Sequence, residues 1–317
     1  MIKAGAFLLA LVLLSVASVL LGPSPINPVS VEPWQREALL SLRLPRVLTA
    51  LLVGGALGVS GVVLQGMLRN PLADPYVLGL SGGATLLAAG ALLLGIVLPY
   101  GVAGFALLGA LLTGAVVGAL GWRHGGLWPE RLILAGIGLG FLASALLMLL
   151  MSLSTDEALR RAVLWMFGDL SLVGWRGLPL GAALVAVGAS VVALRARALN
   201  ALLLGDELAH TLGFSPQRER LVLFVATCLL VAASVSMAGV VGFVGLLVPH
   251  IMRALVGADA QRLVPAGFAG GAALLVVADF LGRTALSPTE LPAGVITAII
   301  GAPYFLYLLR KKGVLSV

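Results

Sequence analysis

The sequence predicts an all-α polytopic membrane protein of about ten transmembrane helices with both termini cytoplasmic, and three observations carry that prediction. Of 317 residues, 60% are hydrophobic and another 41 are glycine, while only 10% are charged, against roughly 25% in soluble domains. Apolar runs recur along the whole chain at the length a bilayer core demands, about 20 residues per helix. Basic residues divide unequally between the two sides that those runs define. The first observation excludes a water-soluble domain, a disordered chain and a coiled coil. The lone cysteine, Cys228, excludes an internal disulfide scaffold.

Taken in order, the apolar runs fall at about 4–22, 47–66, 79–98, 102–121, 132–153, 177–194, 221–238, 240–255, 263–282 and 293–309, separated by charge, proline or glycine clusters. The first begins after Lys3, and its apolar stretch exceeds the roughly 7 to 15 residues of a signal-peptide core, so it reads as a span. The second follows Pro45 and is closed by the Arg69-Asn70-Pro71 turn. The eighth is the least regular, because Pro249, His250 and Arg253 lie inside it. The chain is expected to form one transmembrane domain over 1–317.

Orientation follows from arginine and lysine, which resist translocation. With the N-terminus inside, thirteen basic residues fall on the cytoplasmic side (Lys3, Arg69, Arg123, Arg131, Arg195, Arg197, Arg218, Arg220, Arg253, Arg262, Arg310, Lys311, Lys312) and seven on the other (Arg36, Arg43, Arg46, Arg160, Arg161, Arg176, Arg283). The net charge of +7 is mostly this bias, and nucleic acid is not an expected partner. Glycine pairs four apart, Gly54/Gly58, Gly79/Gly83, Gly114/Gly118, Gly136/Gly140 and Gly267/Gly271, predict close helix crossings, since small residues let backbones approach in lipid. The segments starting at Leu52 and Leu230 share seven of twenty positions, which raises an inverted repeat as one reading and chance similarity of glycine- and valine-rich spans as the other.

Chemistry is sparse. Asp279 is the clearest ionisable group within a span, with Arg283 one turn later, where the two can pair. His124, His210 and His250 have no second ligand at metal spacing, so no metal site is expected. Leu80-Ser81-Gly82-Gly83-Ala84 resembles an ATPase signature loop, yet the lysines occur only at 3, 311 and 312, so no P-loop exists and no ATPase activity is expected of this chain. The two alternatives, a membrane-embedded enzyme and an ion-driven secondary transporter, are disfavoured: the first needs convergent catalytic residues and the second intramembrane carboxylates, and the chain offers little beyond Asp279.

The inner segment 200–214 reads as two short helices outside the bilayer: Gly205 breaks the chain, Asp206 and Glu207 favour a helix start, and Gly213 suits the turn that ends it. Acidic residues fit a protein partner better than an anionic leaflet. On the outer side, Arg43 and Arg46 just before the second span and Arg283 between the last two suit carboxylates of a docking protein or phospholipid head groups.

Five stretches carry a family resemblance: RLPRVLTALLVGGALGVSGVVLQGMLRNPLADPYVLGLSGGA (43–84), RLILAG (131–136), ALLLGDELAHTLG (201–213), GFVGLLVPHIMR (242–253) and ADFLGRTALSPTELPAGVITAIIGAPYFLYLL (278–309). In order and over most of the chain, they resemble the FecCD-type permease subunits of type II ABC importers, which take up ferric siderophores, haem and cobalamin. The resemblance implies the type II importer permease fold and a translocation path at the interface of a homodimer, or of a pseudo-dimer with a related permease. It implies two cytoplasmic ABC ATPase subunits, which bind ATP and magnesium, an extracytoplasmic binding protein, and a place in the bacterial or archaeal plasma (inner) membrane. By matching position, Leu202, Gly205, Asp206, Glu207, Ala209, Leu212 and Gly213 would couple to the ATPases, and Arg43, Arg46 and Arg283 would receive the binding protein. Asn70 and Leu72 would lie near the cytoplasmic gate, together with Pro129 and Glu130, which stand where some members carry small hydroxyl residues. The expected cargo is a large metal chelate, a ferric siderophore first, with cobalamin or haem close behind.

Overall fold

The computed structural model describes residues 2–22, 32–96, 101–170, 174–287 and 289–310. Lys311, Lys312 and the last residues of the third apolar run lie outside them. The chain runs through α1 (Ile2–Leu20), α2 (Pro33–Ala38), a π-helical turn (Leu39–Arg43), α3 (Leu44–Met67), a 3-10 turn (Pro75–Leu78), α4 (Leu80–Leu93) and α5 (Gly101–Gly121). A small hairpin of β1 (Trp122–Arg123) and β2 (Gly126–Leu127) leads to α6 (Pro129–Ser152), α7 (Asp156–Met166), α8 (Gly174–Leu194), α9 (Ala196–Leu203) and α10 (Asp206–Thr211). The remainder is α11 (Pro216–Ala238), α12 (Val244–Val256), α13 (Ala260–Thr284) and α14 (Ala293–Arg310).

The ten apolar runs are helical over most of their length, but not all are long helices. Six segments are long and apolar enough to cross a bilayer, while Leu9–Leu20, Leu80–Leu93, Val244–Val256 and Ala293–Tyr307 are shorter. α4 starts as expected, after a 3-10 turn over Pro75–Leu78 and the left-handed Gly79 (φ +70°), and is shortened at its far end, where Leu94 caps it and Gly95 turns left-handed at φ +69°. α12 starts late because the backbone turns left-handed at Gly239 (φ +68°) and again at Phe243 (φ +67°). That break also separates the two segments that share seven positions: the first winds mostly as regular α3, whereas the second crosses the gap between α11 and α12. Outside the apolar runs, α7 is an amphipathic helix that the apolar pattern did not reveal.

Arg43 and Arg46 do not precede the second span in a loop. Helix is continuous from Pro33 to Met67, with the π-helical turn immediately ahead of Leu44-Pro45. A π turn is a common answer where the backbone must widen, and proline lacks the N–H that a regular turn would use. Arg283 is likewise in the last turn of α13 rather than in the following connection.

α3 is the central helix: 83% of its apolar window is buried, against 22% for α6. Its packing against α13 is written in glycine. A Cβ on Gly54 would run into the carbonyl of Gly271, and one on Gly58 into that of Gly267. Two of the predicted pairs therefore meet each other. Gly79 lies against Gly136 in the same way, bringing α4 to α6, while Gly114 and Gly118 of α5 receive Cys228 and Phe224 of α11. With no hydrophobic contrast between helices in lipid, this close fit supplies van der Waals contact that larger side chains would block.

Candidate functional site

At the inner end, by the basic-residue bias, α9 and α10 form a platform beside the end of α3. Leu202 and Ala209 are fully buried and attach the two helices to the bundle. Gly205 joins them at φ +108°, and Gly213 closes α10 at φ +85°, both in the region that favours glycine. Asn200 donates to the Asp259 carboxylate at 2.7 Å and accepts from the Ala260 N–H at 2.8 Å, tying α9 to the start of α13.

Asp206 is held from two sides. Arg220 donates to both of its oxygens, at 2.7 and 2.5 Å, and Arg69 donates at 2.7 Å. Arg69 also donates to the Leu202 carbonyl at 3.2 Å, from a backbone at φ +48° that non-glycine residues seldom adopt. The hydrogen bonds from Arg220 are the main reason that the Asp206 carboxyl lies below its ordinary range, with Arg69 adding to them and partial burial opposing. Asp206 therefore braces the platform, whereas Glu207 is exposed. Leu204, at the end of α9, and Leu208 and Leu212, within and at the end of α10, are 60%, 54% and 58% exposed. Of the predicted apolar contacts, Leu212 faces outward, and Leu202 and Ala209 face inward. Reading the sequence missed Leu204 and Leu208 on the open face and Arg69 and Arg220 beneath it. The basic count had registered both arginines, but only as charge.

The connection after α3 continues this construction. The Asn70 side chain accepts from the Leu72 N–H at 2.9 Å. Leu72 lines a small recess with Pro71, Phe243, His250, Gly301 and Tyr304, so Asn70 and Leu72 belong with α12 and α14. Pro129 and Glu130 instead form the first turn of α6, where Glu130 complements the helix dipole. Asp74 is a buried carboxylate that the sequence reading did not single out. One oxygen caps the Tyr76 N–H at 2.9 Å, the other has no partner among the described residues, and burial pushes the carboxyl up to about 6. The Tyr76 hydroxyl in turn donates to the Val241 carbonyl at 2.6 Å and accepts from its N–H at 2.8 Å, fixing the break before α12. Glu219, in the first turn of α11, is a further buried carboxylate and pairs with Arg195 at 3.2 Å.

At the outer end, the expected Asp279–Arg283 pair is present at 2.9 Å, and Arg46 completes it from α3 at 2.7 Å. Asp279 is 1% exposed and the Arg283 side chain 4%. Arg283 reaches across to the Ser18 carbonyl and hydroxyl at 3.0 and 2.8 Å. Arg46 also meets the half-exposed Glu290 at 2.7 Å. Arg43 donates to the Val19 and Leu20 carbonyls at 3.2 and 3.3 Å, where α1 ends. Of the three arginines, Arg43 and Arg46 keep some exposure and Arg283 is enclosed.

The FecCD transport family model matches residues 7–311. The hemin transport system permease protein HmuU of Yersinia pestis is 42% identical over 283 residues, 86% of this chain and 83% of that protein. The cobalamin import system permease protein BtuC of Halobacterium salinarum is 40% identical over 274 residues, covering 86% and 73% of the two chains. A solved inward-facing structure of a metal-chelate type ABC transporter superposes with a TM-score of 0.88 at 35% identity, covering 96% of this chain and 98% of that one.

Proposed function

This chain belongs to the FecCD transport family, and on that premise we propose how its surfaces divide the work of import. The chain is a multi-pass permease subunit of an ABC importer, with ATP hydrolysis carried by separate subunits. Its cargo is a large metal chelate; hemin and cobalamin, named for the relatives, are the first to test, and ferric siderophores the next. In the proposed assembly two copies line the path in the plasma (inner) membrane of a bacterium or archaeon. Two ATPases, which hold ATP and magnesium, sit beneath them and a binding protein sits above.

The observation that carries this reading is the row Leu204, Leu208 and Leu212 beside Glu207, exposed on helices that are anchored from behind. Apolar side chains in such a row mark a surface that another protein covers, and the acid beside them disfavours an anionic leaflet. ATP-driven closure of the partner subunits would move the platform, and Arg69 passes that movement to the Asn70–Leu72 connection by its bonds to Asp206 and Leu202. Asn70 and Leu72, with Pro129 and Glu130 on α6, form the inner gate in this proposal. Arg43 and Arg46 receive acidic residues of the binding protein, and Arg283 acts by holding Asp279 against Arg46.

The test is reconstitution in proteoliposomes with the cognate ATPase and binding protein, followed by uptake of labelled hemin, cobalamin and ferric siderophores. ATP-dependent accumulation of one chelate is expected. An intact complex that accumulates none of them would overturn the cargo assignment. Leu204→Asp with Leu208→Asp is expected to abolish co-purification of the ATPase; unchanged co-purification would remove the platform from the interface.

A further inference from the structure

α5 and α8 both pack against α11, and between them, toward the outer end, lies a cavity of about 760 Å³. That size is within the range of small-ligand sites, about 300 to 1,000 Å³. Its lining is mostly apolar: Val102 and Leu107 come from α5, Leu184 and the exposed Leu180 from α8, and the buried Trp165 and Met237 from α7 and α11. Its rim is polar, formed by Arg161, Arg176 and Asp169. Arg161 makes one long contact, 3.5 Å to the exposed Glu157, and Arg176 has no ion-pair partner among the described residues. Both belong to the minority of basic residues on the translocated side, where basic residues are disfavoured.

We propose that this groove is a binding site for one phospholipid of the outer leaflet, with an acyl chain in the cavity, the phosphate on Arg161 and Arg176, and an ammonium head group toward Asp169. Charge and polarity select this occupant. A guanidinium presents several donors to a phosphate, a recess lined mostly by apolar side chains takes a hydrocarbon chain, and a carboxylate in the same lining favours a zwitterionic head over a purely anionic one. The site lies away from the platform and the gate and does not depend on which chelate is carried. Bound there, the lipid would fill the space between α5 and α8, each of which packs on α11, and would steady α7.

The experiment is native mass spectrometry of the full chain in detergent, titrated with palmitoyl-oleoyl phosphatidylethanolamine. Two variants probe the two halves of the site. Arg161→Gln with Arg176→Gln removes the phosphate contacts. Gly104→Phe fills the groove from a position where an added Cβ meets nothing within 4 Å. One lipid retained by the wild type and at least tenfold weaker retention in both variants, with thermal midpoints unchanged, is the expected result. Equal retention by all three proteins would overturn the site and leave only annular lipid. Equal affinity for chain-free glycerophosphoethanolamine would overturn the acyl-chain assignment, and equal affinity for phosphatidylglycerol would overturn the role of Asp169.

Discussion

The two ends of this molecule each carry one aspartate shared by two arginines, and they differ in burial. At the outer end Asp279 joins Arg46 and Arg283 with 1% exposure; at the inner end Asp206 joins Arg69 and Arg220 with 42%. The outer cluster links α3 and α13 and, through Ser18, α1. Asp279 is what holds this cluster together, since removing it leaves the enclosed Arg283 without a carboxylate in low dielectric and Arg46 with only the half-exposed Glu290. In the inner cluster Asp206 and Arg69 are open to water, which can replace a lost partner on that side, while Arg220 beneath them is only 6% exposed. The same chemistry is thus enclosed at one end and half open to water at the other.

Four predictions break or sharpen this comparison. The largest effect is expected from Asp279→Ala, which leaves two arginines facing each other and should destabilise the chain by about 3 to 5 kcal/mol, read as a fall in the detergent thermal midpoint. Loss of under 1 kcal/mol would mean that the outer cluster behaves like a surface pair.

Next comes Asp74, a buried carboxylate to which the structure gives no arginine. Its carboxyl is raised to about 6 from 3.8 by burial. The folded state therefore binds a proton that the unfolded state releases, and the stability contributed by that proton is full below about pH 4 and is lost as pH rises through about 6. Asp74→Asn should raise the thermal midpoint at pH 7.5 by roughly 1 to 3 kcal/mol equivalent and have little effect at pH 4. A pH-independent difference between the two proteins would contradict this.

Asp206→Ala should cost less than Asp279→Ala, about 1 to 2 kcal/mol, because water reaches Asp206 and Arg69 but the buried Arg220 loses its carboxylate. Its main consequence is expected in reconstituted vesicles, where ATP hydrolysis continues while chelate uptake falls several-fold. Wild-type uptake would show that the brace is dispensable. Smallest is Arg43→Glu, expected to weaken binding-protein docking by about 0.2 to 1 kcal/mol at low salt and by less at high salt. An affinity that salt does not alter would point away from an ionic contact.

Much of the fold was legible in the sequence. The apolar runs marked the helices, and Gly54/Gly58 and Gly267/Gly271 marked a close seam, because glycine in a span has few uses other than letting another backbone approach. The break at Gly205 and the acids after it located α9 and α10. Less legible were the elements that local pattern does not encode. α4 and α12 look like full spans by hydropathy, and the turns at Gly95 and Phe243 shorten them. Arg46 meets Asp279 across 233 residues of chain and Arg69 meets Asp206 across 137, distances over which no periodicity speaks. Asp74 looked like a loop residue, since nothing in its neighbours signals enclosure.

By itself the sequence determined a helical membrane protein, its likeness to a family of importer permeases, its glycine seams and the position of its inner platform. These follow from hydrophobicity, backbone freedom and charge, which each residue carries wherever the chain goes. The tertiary structure alone decided that Asp279 is enclosed and Asp206 open, that Leu204 and Leu208 face outward while Leu202 and Ala209 face in, and that Arg161 and Arg176 share the rim of one cavity. Each of those outcomes depends on which distant segment arrives as a neighbour, and burial and pairing are properties of neighbours.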